Sequence, residues 1–274
     1  MSPMPLAEKL YRALQSIPAV FLGEGFWYVT LAGIAWLGLY VVFARWMSRR
    51  RIADKLPAWR QMGWELVYSL RSMFVFGIVG GFITVSVISG WTQMYFQIER
   101  FGTLYFWLSI PLMILLHDTY FYWTHRLMHH PRLFRSVHRV HHLATNPSPW
   151  AAYSFSVPEA FVQAGIGPLI IFLIPNHPAA FSIFMLWQIS FNVLGHCGHE
   201  LMPSWFMRSG CGRILNTATH HAMHHETNRA NFSLYFNWWD RLLGTNHARY
   251  EERFEAVTNF RGARELVSES PERS

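Results

Sequence analysis

The feature that most confines this chain is a run of 27 residues, Ser72 to Ile98, without one charged side chain. The hydrocarbon core of a bilayer is crossed by about 20 apolar residues in a helix, with a lower limit near 17. A soluble core has little use for so long a neutral stretch. The pattern recurs. Gly25 to Ala44 is uncharged for 20 residues and Phe101 to Leu116 for 16, and the latter run extends through His117 and Asp118 into Tyr120–Trp123. Ala160 to Asn176 and Pro178 to Gly195 are uncharged for 17 and 18 residues. Only 14% of the chain is charged and 51% is apolar, against about 25% charge in a soluble globule. This excludes disorder, collagen and a solvated coiled coil, and two cysteines are too few for a disulfide scaffold. The expected fold is an all-α integral membrane protein of about four to five membrane helices carrying a cytoplasmic helical metal-binding cap. The last two runs read as a hairpin turned at Ile174–Pro178, either spanning or re-entrant.

The expected organisation is one membrane-embedded domain over residues 23–247. An interfacial segment, 1–22, precedes it, with Leu6, Leu10, Tyr11, Leu14 and Ile17 at helical spacing. A charged tail, 248–274, follows. Residues 1–20 lack the basic-then-apolar order of a signal peptide. Arg45, Arg49, Arg50, Arg51, Lys55 and Arg60 fall between the first two runs, and the positive-inside rule makes that loop cytoplasmic. Threading the remaining runs puts the C-terminus on the same side and the N-terminus on the other. It also gathers the histidines at the cytoplasmic face, with His177 alone at the opposite end. The membrane would be the plasma membrane of a bacterium or the endoplasmic reticulum of a eukaryote.

Histidine is the residue in excess, at 15. The groups are His125-Arg-Leu-Met-His129-His130, His138-Arg-Val-His141-His142, His196-Cys-Gly-His199-Glu200 and His220-His221-Ala-Met-His224-His225. Positions i, i+3 and i+4 share one helix face, so each group is expected to present its imidazoles to one point. Imidazole suits iron, zinc, copper and nickel. One tetrahedral zinc needs four ligands, and the supply here is enough for two metals. No His-Glu-x-x-His protease motif and no glycine-rich nucleotide loop is present. Gly77, Gly80 and Gly81 lie in a membrane run, where small residues ease helix packing. Asp118, Glu159, Glu200, Glu226 and Asp240 are the acids near the histidines, candidates to orient the rings and offset metal charge. Of these, Asp118, Glu200 and Asp240 are the expected site acids.

The segment His117-Asp-Thr-Tyr-Phe-Tyr-Trp-Thr-His125-Arg-Leu-Met-His129-His130, then His138-Arg-Val-His141-His142, resembles the fatty acid hydroxylase/sterol desaturase superfamily. So does His221-Ala-Met-His224-His225, followed by Asn231-Phe-Ser and Trp238-Trp239-Asp240-Arg241-Leu242-Leu243-Gly244-Thr245, with Leu243 where the family has Phe. The resemblance covers roughly residues 117 to 245. It implies a non-haem di-iron enzyme that hydroxylates or desaturates a membrane lipid with O2 as co-substrate. Zinc could replace the iron in recombinant material. It further implies His125 and His129 as the first ligand box, His138, His141 and His142 as the second, and His221, His224 and His225 as the third. His196 and His199 form a looser pair between the last two. No fused electron carrier is visible, so the resemblance implies a separate donor (cytochrome b5-like, ferredoxin or rubredoxin) with its reductase. The basic 45–60 loop could dock an acidic donor or anionic lipid.

The substrate is expected to enter from the lipid side, past Trp123, Trp150, Tyr153, Phe155, Phe232, Tyr235, Trp238 and Trp239, and to be sterol-like or fatty-acyl, with a lean to the sterol. Asn146–Pro149 is expected as a lid or loop. The competing readings are a dizinc lipid hydrolase, separable by O2 uptake, and a metal transporter, which would need ionisable groups along a mid-membrane path. Nucleic-acid binding has no support: the charge excess, 23 Lys+Arg against 16 Asp+Glu, is concentrated beside the membrane.

Overall fold

In the computed structural model, which describes residues 4–259, the described chain is helical throughout, joined by turns and three isolated β-bridges. The long helices are α1 (Leu6–Trp36), continued to Val42 by a π-helical stretch, α2 (Trp59–Ile88), α3 (Gly102–Met128) and α7 (Pro178–Gly195). By length and composition these four can cross a membrane. Between α3 and α7 come α4 (Pro131–Val137), α5 (Val157–Ala164) and α6 (Ile166–Leu173). After α7 come α8 (Ala218–Thr227), α9 (Trp238–Leu242) and α10 (Tyr250–Thr258). Leu14, Leu22, Phe26, Phe74, Leu104, Trp107 and Leu108 stand exposed around the bundle. A continuous apolar exterior is what lipid accommodates and water does not.

The helices depart from the uncharged runs in instructive ways. Residues 6–22 are the first half of α1 itself. Helix α2 starts 13 residues before its neutral run and takes in Arg60, Glu65 and Arg71. It stops at Ile88, where Gly90 adopts φ 71°. The rest of that neutral run is a loop. Charge-free sequence marks what lipid tolerates, whereas a positive-φ glycine marks where a helix ends. The hairpin forms with its turn where expected, and its first arm breaks at Gly165 into α5 and α6. Gln93 N–H donates to Ile171 O (2.8 Å) and Tyr95 N–H to Asn176 O (3.0 Å), so the hairpin turn meets the α2–α3 loop at the end of the bundle away from the histidines. Part of the expected tail is α10, whose Tyr250 and Phe254 are fully buried beneath α8. Residues 260–274 lie outside the described region.

Helices α1 and α2 pack through the glycines of α2. A Cβ on Gly77 would lie 2.9 Å from Ile17 O, and one on Gly80 would lie 2.7 Å from Val20 Cγ2. Asn146–Pro149 is no free lid. The Ser148 hydroxyl donates to the buried Glu65 carboxylate, and Gln61 Nε2 donates to Asn146 O at 2.7 Å. The segment is thereby tied to the histidine end of α2.

Candidate metal centre

Nine histidines converge into two adjoining groups: His125, His129, His138, His142 and His224 in one, and His141, His196, His221 and His225 in the other. Within each group the facing ring nitrogens lie within 4.8 Å of one another. The ligand boxes do not map one to one onto the groups. His138 and His142 go to the first group and His141 to the second, while His221 and His225 go to the second and His224 to the first. On α8 the reason is angular. Relative to His221, a residue three positions on is rotated about 60° one way and one four positions on about 40° the other. Residues i and i+4 therefore share one metal side, and i+3 looks to the neighbouring one. The expectation of one point per box is corrected accordingly. The groups touch: the rings of His142 and His225 are 4.7 Å apart and those of His141 and His142 5.6 Å.

The nitrogens facing inward are Nε2. His125 Nε2 lies 3.0 Å from His138 Nε2, and His224 Nε2 lies 3.1 Å from both His129 and His142 Nε2. In the second group His196 Nε2 lies 3.0 Å from His221 Nε2 and 3.2 Å from His141 Nε2. Four of the outward nitrogens donate to backbone carbonyls, whereas His142 Nδ1 has no partner among the described residues. Nδ1–H of His125 donates to Phe232 O (2.7 Å), of His196 to Asn192 O (2.7 Å), of His224 to Ala230 O (2.7 Å) and of His225 to Ala144 O (2.9 Å). A ring that donates from Nδ1 while neutral carries its lone pair on Nε2. Lone pairs packed about 3 Å apart repel one another unless a cation lies between them, so this donor set fits metal ions and little else. Burial and mutual repulsion hold His138, His141, His142, His221, His224 and His225 well below the ordinary histidine range, and burial pushes His196 down to about 4. The rings are thus kept in the neutral, ligating form.

The acids divide by what they touch. Glu159, fully buried, accepts from His138 Nδ1 at 2.7 Å and is the one acid in direct contact with a cluster ring among the described residues. Asp118 accepts from the backbone N–H of Tyr235 and Phe236 (2.9 and 3.2 Å). Asp240 accepts from the N–H of Phe232 and Ser233 (2.9 and 2.8 Å) and faces His220 at 3.4 Å. It thereby fixes the extended segment whose Phe232 carbonyl holds His125, and its hydrogen bonds hold its carboxyl below the usual carboxylate range. Glu200 accepts from Thr219 N–H and Oγ1 (3.0 and 2.7 Å), anchoring the first turn of α8. These three position the ligand-bearing segments and do not face the cluster nitrogens. Glu226, on α8, pairs with Arg253 of α10 at 3.6 Å. His199 is brought to neither group; its Nδ1 donates to Cys197 O (3.0 Å) and its ring meets the edge of Tyr40. His130 and His220 also point away, the former capping α4 and the latter lying against Tyr250.

A cavity of about 380 Å³ lies inside the membrane bundle between α1, α2, the α5–α6 arm and α7. Its lining includes Phe76, Ile83, Ile166, Leu186 and Phe155, and the ring of Phe155 lies 5.2 Å from that of His141. Of the aromatics expected along the substrate path, Tyr153 and Phe155 line it; Phe232 instead packs on the rings of His125, His129 and His224. The lining polar residues Glu24, Gln163 and Gln188 escaped the sequence reading because each is a single polar residue within an apolar stretch.

The sequence profile described as fatty acid hydroxylase matches residues 110–245, the stretch that supplies every cluster histidine. A Delta(7)-sterol 5(6)-desaturase of Gibberella zeae is 26% identical over 246 residues, covering 89% of this chain and 72% of that protein. The lathosterol oxidase of Rattus norvegicus is 26% identical over 231 residues, covering 79% and 74%. A Delta(7)-sterol 5(6)-desaturase of Leptosphaeria maculans is 30% identical over 169 residues, covering 61% and 45%. The chain thus spans about half to three quarters of the length of these relatives. No solved structure matches it. With the matched region supplying the whole histidine core, the chain belongs to the fatty acid hydroxylase/sterol desaturase superfamily.

Proposed function

We propose that this protein oxidises a C–H bond of a membrane lipid with O2, using two iron ions held by the histidine groups, and that the lipid is sterol-like in preference to fatty-acyl. The observation that carries the reading is the pair of adjoining Nε2 clusters, one ring of which, His141, meets Phe155 in the lining of a cavity among the membrane helices. The relatives, named as sterol desaturases and a lathosterol oxidase, support the choice of lipid. Iron at such a site supplies the redox and oxygen chemistry that side chains lack.

The chain's own residues do the rest. The Nδ1–H donations lock ring orientation and tautomer, so the ligands are preformed. Glu159 accepts the His138 Nδ1–H and fixes that ring from behind. Phe155 and Phe232 cover the clusters with apolar surface and exclude water, as the oxidation of an unactivated bond requires. Electrons come from a separate donor protein, and the basic stretch around Arg45–Arg51 faces the same end as the clusters, since Arg50 Nη1 donates to Glu200 O and Met202 O. By charge that end is cytoplasmic.

The test is lipid mass spectrometry under 18O2, comparing membranes from cells expressing the wild type with those expressing His141→Ala. Gain of one labelled oxygen identifies hydroxylation; loss of two hydrogens without label identifies desaturation. Metal-loaded wild type that changes no lipid, with a competent donor present, removes this reading and restores the hydrolase.

A further inference from the structure

Glu24 sits at the midpoint of the 37-residue helical stretch Leu6–Val42, where a carboxyl group is expensive to keep. No basic side chain among the described residues pairs with it. Its partner is Tyr153, whose hydroxyl lies 3.2 Å from Glu24 Oε2 and 3.0 Å from Gln188 Oε1. All three residues line the intramembrane cavity, one from α1, one from the segment before α5 and one from α7. The Tyr153 ring is held rigidly, stacked on Tyr28 at 5.7 Å and edge-on to Phe76 at 5.1 Å.

The hydrogen-bond count of this trio is incomplete. A tyrosine hydroxyl has one proton to give and here it faces two oxygens. Glu24 Oε1 and the Gln188 amide nitrogen have no partner among the described residues. In either protonation state of Glu24 the trio offers an acceptor and a donor side by side on an otherwise apolar wall. That is the complement of one hydroxyl, which gives one hydrogen bond and receives another. A cavity of about 380 Å³ falls in the range of small-molecule sites, and such sites fix orientation with a few convergent polar groups. Tyr153 is one aromatic neighbour from Phe155, which in turn contacts His141. A ligand gripped at the trio is therefore held in register with the second histidine group.

We propose that Glu24, Tyr153 and Gln188 form a polar subsite that binds the ring hydroxyl of a sterol-like substrate and sets which carbon faces the metals. This rests on the lipid-oxidation reading above, and binding measured apart from turnover keeps the two separable. The full-length protein, iron-loaded and held in nanodiscs, would be given tritiated lathosterol and challenged with unlabelled lathosterol, its 3-deoxy counterpart, its 3-methyl ether and hexadecan-1-ol. A buried polar site left unpaired discriminates strongly, so the alcohol should outcompete the deoxy and ether forms by at least about tenfold. Glu24→Gln and Gln188→Leu should shrink that preference below about threefold while leaving metal content and the affinity for the deoxy sterol unchanged. Tyr153→Phe, which keeps the ring packing, should do the same.

Equal binding of all three sterols by the wild type would overturn the proposal. So would variants that weaken the alcohol and the hydrocarbon alike, which is the signature of general packing. Hexadecan-1-ol competing as well as lathosterol would overturn the assignment to a ring alcohol. Hydroxyl preference without any O2-dependent turnover would leave the subsite standing and remove the oxidation reading; turnover without hydroxyl preference would do the reverse.

Discussion

Each cluster ring has an outward nitrogen whose surroundings decide how well the inward one ligates, and those surroundings are unequal. His138 has a carboxylate, whereas His125, His196, His224 and His225 have carbonyls. Partners of this kind are worth about 10–100-fold in metal affinity. Glu159→Gln should therefore lower occupancy of the group containing His138 and spare the other, so that metal analysis falls from near two equivalents towards one. His199→Ala should leave the metal content unchanged, because His199 reaches neither group, while His141→Ala should lose metal. At this scale the sequence was legible in residue type and incomplete in assignment. Spacing revealed that His138, His141 and His142 act together, but it could not show their division between two centres, because that depends on what faces each side of the turn. Glu159 was one of five nearby acids, and Asp118, Glu200 and Asp240 were preferred to it. Its contact with His138 spans 21 residues and depends on where α5 docks.

Helices in lipid associate by close packing, since water provides no drive between them. The α1–α2 contact depends on the absence of Cβ atoms at Gly77 and Gly80. Gly80→Val should force the helices apart at Val20 and destabilise the protein by about 1–3 kcal/mol, read as a lower thermal midpoint in detergent. Gly63 lies in the same helix, and a Cβ there would meet nothing within 4 Å, so Gly63→Ala should be neutral or stabilising by up to about 1 kcal/mol. The helices themselves were legible because composition reports the lipid environment directly. Their ends were not. The charged first turns of α2 are held partly by a tertiary partner that no local pattern encodes, since Glu65 accepts from Ser148 as well as from Gln61 one turn earlier.

Across the whole molecule, the buried cluster histidines make stability depend on pH in a definite direction. Their protonation is suppressed in the folded chain, so between about pH 6.5 and about 4 the unfolded chain binds more protons than the folded one. Stability should be at its plateau above about pH 6.5 and fall as pH drops below it. The thermal midpoint of chelator-treated protein between about pH 7.5 and about 5.5 measures this; a flat or rising midpoint on acidification would contradict it. Reporter fusions after residues 60, 145 and 250 should report one membrane side, and an insertion in the α2–α3 loop the other. The long apolar helices were readable from run lengths, but the cavity was not, since it exists only where helices distant in sequence leave space between them. The division of the histidines also governs when the protein can be finished. Each group needs a ligand from α8, His224 for one and His221 with His225 for the other, although the first ligands appear at His125 and His129. Neither group can close while the ribosome is still making the hairpin. A chain cut short before α8 keeps four of the five histidines of the first group but only two of the four of the second, so it is the second group that depends most on the end of synthesis.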